Sequence, residues 1–135
     1  MSDRAFLDTN VLVYALGQQD DRTPAADALL AAGGVVSVQV LNELASVARR
    51  KLHMPWPEVV EALSDIRILC PDPVPTTVAV HDLALTLARR LGYNVYDALI
   101  VAAALEAKCS ILYSEDLQDG QVIDKRLTIR NPFTS

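Results

Sequence analysis

Four acidic residues, far apart along the chain, stand where a carboxylate could do chemistry: Asp8, Glu43, Asp97 and Asp116. Asp8 closes a short apolar run, Ala5-Phe6-Leu7. Asp116 comes just after a second run, Ser110-Ile111-Leu112-Tyr113, across Ser114-Glu115. Asp97 opens a long apolar stretch that reaches Ala107. Glu43 lies one turn into a helical pattern. At 100° per residue it falls about 60° from Val40 and about 40° from Val47, on the border of the apolar stripe. Each acid has an ordinary structural reading when taken alone: an Asx turn for Asp8, an N-cap for Asp97, a semi-exposed helix acid for Glu43 and a loop acid for Asp116. Taken together, four separate segments deliver carboxylates to one edge of the expected sheet.

Such a gathering needs a counter-charge. Two carboxylates about 5 Å apart repel by roughly 3 kcal/mol at an effective dielectric near 20. Protonation or a cation must relieve that cost. Oxygen donors with no Cys or His pattern beside them select Mg²⁺ or Mn²⁺ over zinc. A hard divalent ion held by carboxylates suits phosphodiester hydrolysis, where it activates water and clamps phosphate oxygens.

The elements that must hold these acids in place can be read from periodicity and punctuation. Ala5-Phe6-Leu7 reads as a buried strand, and Asn10 as the cap of a short helix, Val11 to Leu16, stopped at Gly17. Thr23-Pro24 opens a second helix that ends at Gly33-Gly34. Val35-Val36-Ser37-Val38 predicts a second strand, and Val40 to Leu52 a third helix. A further helix starts at Pro57, and Ile66 to Cys70 predicts a third strand. Pro71 to Pro75 is a loop. Helical spacing returns from Thr76 to Leu91, ended by Gly92, and again from Asp97 to Ala107, apolar nearly all round and therefore central. Ser110 to Tyr113 is a fourth strand and Leu127 to Arg130 a short fifth. Strands alternating with helices imply parallel βα units. The expected fold is an α/β three-layer sandwich around a mostly parallel sheet of four to five strands. Such sheets bind ligands at the carboxyl ends of their strands, where strand order reverses.

Composition narrows the class. The 135 residues, 51% apolar and 21% charged, fit one ordered domain over 1–135 and exclude intrinsic disorder. Cys70 and Cys109 match no metal or disulfide spacing and read as buried thiols. The first residues lack a signal peptide's apolar core and no apolar run approaches a membrane span, so a cytoplasmic protein is expected. The net charge of −5 argues against a generic nucleic-acid binder. Setting the four acids aside, however, leaves 13 acids against 12 bases, close to neutrality. Arg49-Arg50-Lys51 and Arg89-Arg90 are the candidates for backbone contacts, although both groups close helices, where cations favour the dipole. His53 and His81 sit in no acid–base pattern. Trp56, between two prolines, reads as a packing anchor or interface residue.

The segments around the acids resemble those of the PIN-domain ribonucleases. The likeness is carried by Phe6-Leu7-Asp8-Thr9-Asn10-Val11-Leu12-Val13-Tyr14-Ala15, by Glu43 in Val40-Leu41-Asn42-Glu43-Leu44, by Tyr96-Asp97-Ala98-Leu99-Ile100-Val101-Ala102-Ala103-Ala104, and by Leu112-Tyr113-Ser114-Glu115-Asp116-Leu117. It spans almost the whole chain in the right order, and the single-domain length is most similar to VapC-type toxins. The resemblance implies a catalytic set of Asp8, Glu43, Asp97 and Asp116, with Mg²⁺ or Mn²⁺ on Asp8, Asp97 and Asp116 and with Asn10 and Ser114 as supporting residues. It further implies RNA as substrate, a cognate antitoxin, a homodimer and no membrane partner. Asp119 is either an auxiliary acid or, with Gly120, turn chemistry. Two other readings stay open: a degenerate PIN-like module that only binds protein or RNA, and a phosphatase or phosphoacceptor domain using Asp8 as nucleophile. The latter usually has a second acid beside the first aspartate and a lysine at a later strand end, and neither is present.

Overall fold

The computed structural model describes residues 4–17 and 19–133. Within them, three-residue strand β1 (Ala5–Leu7) leads into helix α1 (Thr9–Leu16). Four helices then run in series: α2 (Thr23–Ala31), α3 (Val38–Arg50), α4 (Trp56–Leu69) and α5 (Val78–Leu91). Helix α6 (Val95–Glu106) precedes strands β2 (Ile111–Tyr113), β3 (Val122–Ile123) and β4 (Leu127–Arg130). Six helices therefore surround a four-stranded sheet of order β1-β2-β4-β3, in which only β3 runs antiparallel.

The strands are short and carry the centre of the core. Phe6, Leu112 and Ile129 align in register across β1, β2 and β4, and all three are fully buried. On the other side of β1 the sheet continues through two isolated parallel bridges, Phe6 with Val35 and Ser37 with Val74. Gly34 permits that approach: a Cβ there would lie 3.1 Å from the Ala5 carbonyl oxygen and 3.1 Å from Leu7 Cγ. In chain order the sheet grows outward from β1 to Val35 and Val74, then returns to place β2 on the opposite side. The strand order thus reverses between β1 and β2, which makes the carboxyl ends of these two strands the expected binding crevice.

Two strand expectations fail, for identifiable reasons. Ile66 to Cys70 is the end of α4 and its cap, not a strand. Val59, Ile66 and Cys70 are buried at helical spacing while Ile68 is 76% exposed, a pattern no half-buried strand gives. Val35 to Val38 keeps only the bridges at Val35 and Ser37, because Ser37 caps α3 by accepting from Val40 N at 3.1 Å and the helix begins at Val38. The helix starts also move. Asp8, not Asn10, caps α1. Thr23 lies inside α2, its hydroxyl donating to the Tyr14 carbonyl at 3.1 Å. Strand β3 was not foreseen.

Helix α6 is the central column. Ala98 through Leu105 are all buried, and its alanines let neighbouring elements approach closely. Helix α5 packs beside it through Val80, Ala84 and Leu87, and ends at Gly92, whose φ of 76° is the left-handed turn glycine accepts without strain. Helices α1 to α4 form the other packed group, and α3 touches α6. No helix among the described residues is long and apolar enough to cross a membrane.

Candidate active site

Asp8 follows the last residue of β1 and Ser114 the last residue of β2, so two adjoining parallel strands set them side by side. The backbone fixes the junction, with Asp8 N donating to the Tyr113 carbonyl at 3.0 Å. Ser114 Oγ donates to Asp8 Oδ2 at 2.7 Å and accepts from Asp116 N at 3.2 Å. One buried hydroxyl therefore ties two of the sequence-predicted acids together. The other Asp8 oxygen accepts from Thr9 N at 2.7 Å, the capping bond of α1.

Asn10 spans the same loop. Its Nδ2 donates to Asp116 Oδ2 and its Oδ1 accepts from Glu115 N, each at 3.2 Å. Glu43 joins from α3, where Thr9 Oγ1 donates to Glu43 Oε1 at 2.8 Å. It is half-buried, as its border position on the helix requires. Asp97 arrives from the start of α6. Asn94 caps that helix by accepting from Asp97 N at 2.9 Å, and its Nδ2 donates back to Asp97 Oδ2 at 2.9 Å. Asp97 is thus the third residue of the helix and not its cap.

Electrostatics link these segments pairwise, Asp8 with Asp116 and Glu43, and Asp97 with Asp116. Burial pushes the Asp8 carboxyl up to about 6, against the pull of the Ser114 and Thr9 bonds, and the charges of Asp116 and Glu43 push it the same way. Burial likewise raises Asp97, with the charge of Asp116 adding to it. Asp116 is therefore within electrostatic reach of both Asp8 and Asp97. Every donor is oxygen, the chemistry a hard divalent ion prefers. Among the described residues, however, no three of His, Cys, Asp or Glu form a group that could hold a metal ion. Water would have to supply much of any ion's coordination, which is how Mg²⁺ is ordinarily held.

Sequence reasoning missed a second layer. Tyr14 Oη donates to Glu115 Oε1 at 2.6 Å, and Arg22 Nε donates to Glu115 Oε2 at 2.9 Å. The Arg22 guanidinium also lies 4.9 Å from the centre of the Tyr14 ring. The bond to Glu115 pushes the Tyr14 hydroxyl up to about 12, so it remains a donor across the accessible pH range. This clamp fixes the residue between Ser114 and Asp116. Its only trace in the sequence is an acid beside an acid. Other candidates fall away. Asp119 Oδ1 accepts from Asn131 N at 2.8 Å, and Gly120 has φ 86°, so turn chemistry is the reading that holds. Arg90 pairs with Asp124 at 2.7 Å. His53 and His81 are exposed. Trp56 is 59% exposed with Arg49 stacked on it, and so anchors no core.

Comparison with known proteins adds to this geometry. The family model described as PIN domain matches residues 5–119. In fold the chain is similar to Mycobacterium tuberculosis VapC20, described as a Sarcin-Ricin loop cleaving toxin, with 21% identity and a TM-score of 0.68 over 83% of this chain and 89% of that one. It is also similar to VapBC2 from Rickettsia felis, solved bound to a DNA fragment from their promoter, with 21% identity and a TM-score of 0.66 over 94% of this chain and 97% of that one. At such identities the likeness is one of fold. No curated protein matches the chain.

Proposed function

Because the chain belongs to the PIN domain family, we propose that it is a divalent-metal-dependent endoribonuclease that hydrolyses RNA phosphodiester bonds as the toxin of a toxin–antitoxin pair. The observation that carries the reading is the Ser114 hydroxyl bridging Asp8 and Asp116 at the point where strand order reverses, with Glu43 and Asp97 close enough to act on their charge. Asp8, Asp97 and Asp116 would hold Mg²⁺ or Mn²⁺, with water completing the coordination. Such an ion supplies an activated water and screens the negative phosphate.

The chain's own residues do the positioning. Ser114 and Thr9 N fix both oxygens of Asp8, Asn10 holds Asp116, and Thr9 holds Glu43. None of the acids is left to find its rotamer when substrate arrives, which is the second-layer support that metal sites depend on. Glu43 lines the same cleft as Asp116, where it would serve as an acceptor for a proton from the attacking water. The fold shared with VapC20 and with VapBC2 supports a cognate antitoxin as partner, and the proposal carries with it a homodimer and a cytoplasmic location as the sequence resemblance implies them.

The phosphoacceptor reading is weaker. Neither the second acid beside the first aspartate nor a lysine closely following Tyr113, which that chemistry usually has, is present. The binding-only reading has no observation in its favour. The test is incubation of the purified chain with cellular RNA in Mg²⁺, in EDTA, and with Asp8→Asn protein, with the cut ends mapped by sequencing. Discrete new ends in the Mg²⁺ sample alone support the proposal. Cleavage that persists in EDTA, or in Asp8→Asn protein, overturns it.

A further inference from the structure

The cleft lined by Glu43 and Asp116 also carries cations, farther along α3. This hollow, of about 470 Å³, is walled on one side by α3, whose Glu43, Ser46, Val47, Arg50 and Lys51 recur at helical spacing. Seven to eight residues separate Glu43 from the two cations, about 10–12 Å along the helix axis. Arg50 Nε donates to Ser46 Oγ at 3.0 Å, which lays the guanidinium along this wall. Among the described residues neither Arg50 nor Lys51 has a carboxylate within ion-pair distance. A second hollow, of about 700 Å³, shares Val13, Tyr14 and Lys51 with the first, so the groove between α1 and the end of α3 continues past Lys51.

The neighbouring cation behaves differently. Arg49 lies 4.7 Å from the centre of the Trp56 ring, and its Nη1 donates to the Met54 carbonyl at 3.0 Å. The dipole at the end of α3 accounts for cations in its last turn, and Arg49 serves it as well as Arg50 does. It does not account for two of the three lining the acidic cleft with no carboxylate in ion-pair distance. A polyanion needs them there, because the acids alone repel it.

We propose that Arg50 and Lys51 bind backbone phosphates of single-stranded RNA, away from the phosphate held at the acids. This proposal rests on the nuclease reading for its choice of polyanion. Phosphate contacts of this kind position the strand and carry no sequence information. Arg50 and Lys51 set affinity and register, and target choice lies with other residues.

The test measures binding of a short labelled single-stranded RNA by anisotropy over a range of salt concentrations, on an Asp8→Asn background in Mg²⁺ that leaves the strand uncut. Each phosphate contact to a single strand contributes about 0.7 to the slope of log K against log salt. Arg50→Gln/Lys51→Gln is expected to lower the slope by about 1.4 and to weaken binding about tenfold or more at low salt. Arg89→Gln/Arg90→Gln, which removes the same net charge elsewhere, is expected to change neither, and Arg50→Lys to keep the slope. In the active protein the first pair raises KM with kcat nearly unchanged. An unaltered slope, or an equal loss in both double variants, overturns the proposal. Normal cleavage with an unmoved KM in Arg50→Gln/Lys51→Gln overturns it alone, leaving the nuclease reading intact. Binding with the expected slopes but no cleavage by the active chain sinks the nuclease reading and supports this one.

Discussion

The two sides of the candidate site are fastened by different kinds of bond. Asp8 is held from across the chain, by a serine 106 positions away, and is almost fully buried. Asp97 is held by Asn94, three positions away on the same helix start, and is only half-buried. Burying Asp8 destabilises its charge, whereas Asp97 keeps part of its hydration. The buried side therefore bears the energetic strain of the site, and the helical side is a local motif that any capped helix could carry.

This contrast can be tested most sharply on Asp8 itself. Asp8→Asn is expected to reduce RNA cleavage by about 10³-fold or more, since the carboxylate's charge is lost at the reacting centre. Asp97→Asn is expected to fall in the same range, so activity will not separate the two sides. Stability will. The folded chain holds the Asp8 proton up to about pH 6, while the unfolded chain releases it near 3.8. The contribution of Asp8 to stability is therefore greatest below about pH 4, declines as pH rises to about 6, and stays lower above that, a cost on the order of 3 kcal/mol. In EDTA at pH 7.5, Asp8→Asn should melt above the wild type, with the gap closing at pH 4, and Asp97→Asn should show much less of this. Equal melting of wild type and Asp8→Asn at both pH values would falsify the assignment of strain to the buried side. Added Mg²⁺ should raise the wild-type melting temperature, by about 2.7 kcal/mol of stabilisation at a hundredfold excess over Kd, and leave Asp8→Asn unmoved.

Smaller effects refine the comparison. Ser114→Ala removes the hydroxyl shared by Asp8 and Asp116 and should cost about 10- to 100-fold in activity. Ser114→Thr, which keeps the hydroxyl, should recover much of it. Asn94→Ala should cost about 1 kcal/mol of stability through the lost cap, measured by urea unfolding, with less effect on cleavage than Ser114→Ala. If the Asn94 variant is the more damaged in activity, the local motif matters more than its bonding suggests.

The same division decides what could be read from the sequence. Asp97 on a helix start, Glu43 at the border of a stripe and Asp8 after an apolar run are local patterns, and each stands where periodicity put it. β1, β2, β4 and α6, with its buried run from Ala98 to Leu105, were legible for the same reason. The failures share a cause as well. Ile66 to Cys70 is a short apolar run whose state depends on what it packs against, and Val35 to Val38 is divided by a cap that wins the backbone at Ser37. The Tyr14–Glu115–Arg22 clamp joins residues about a hundred positions apart by side chains alone, and no spacing rule reaches that far. The division of Arg49-Arg50-Lys51 into one stacked and two groove-lining cations is equally invisible, since adjacent residues on a helix point about 100° apart but the sequence does not say toward what.

The late arrival of β2 beside β1 has a consequence for how the molecule is made. Asp8 is synthesised more than a hundred residues before its hydroxyl partner and Asp116. Until β2 is translated and docked, β1 lacks its neighbour on that side and Asp8 lacks its serine. On the nuclease reading, an unfinished polypeptide is harmless to the message that encodes it, and cutting power switches on with completion of the fold.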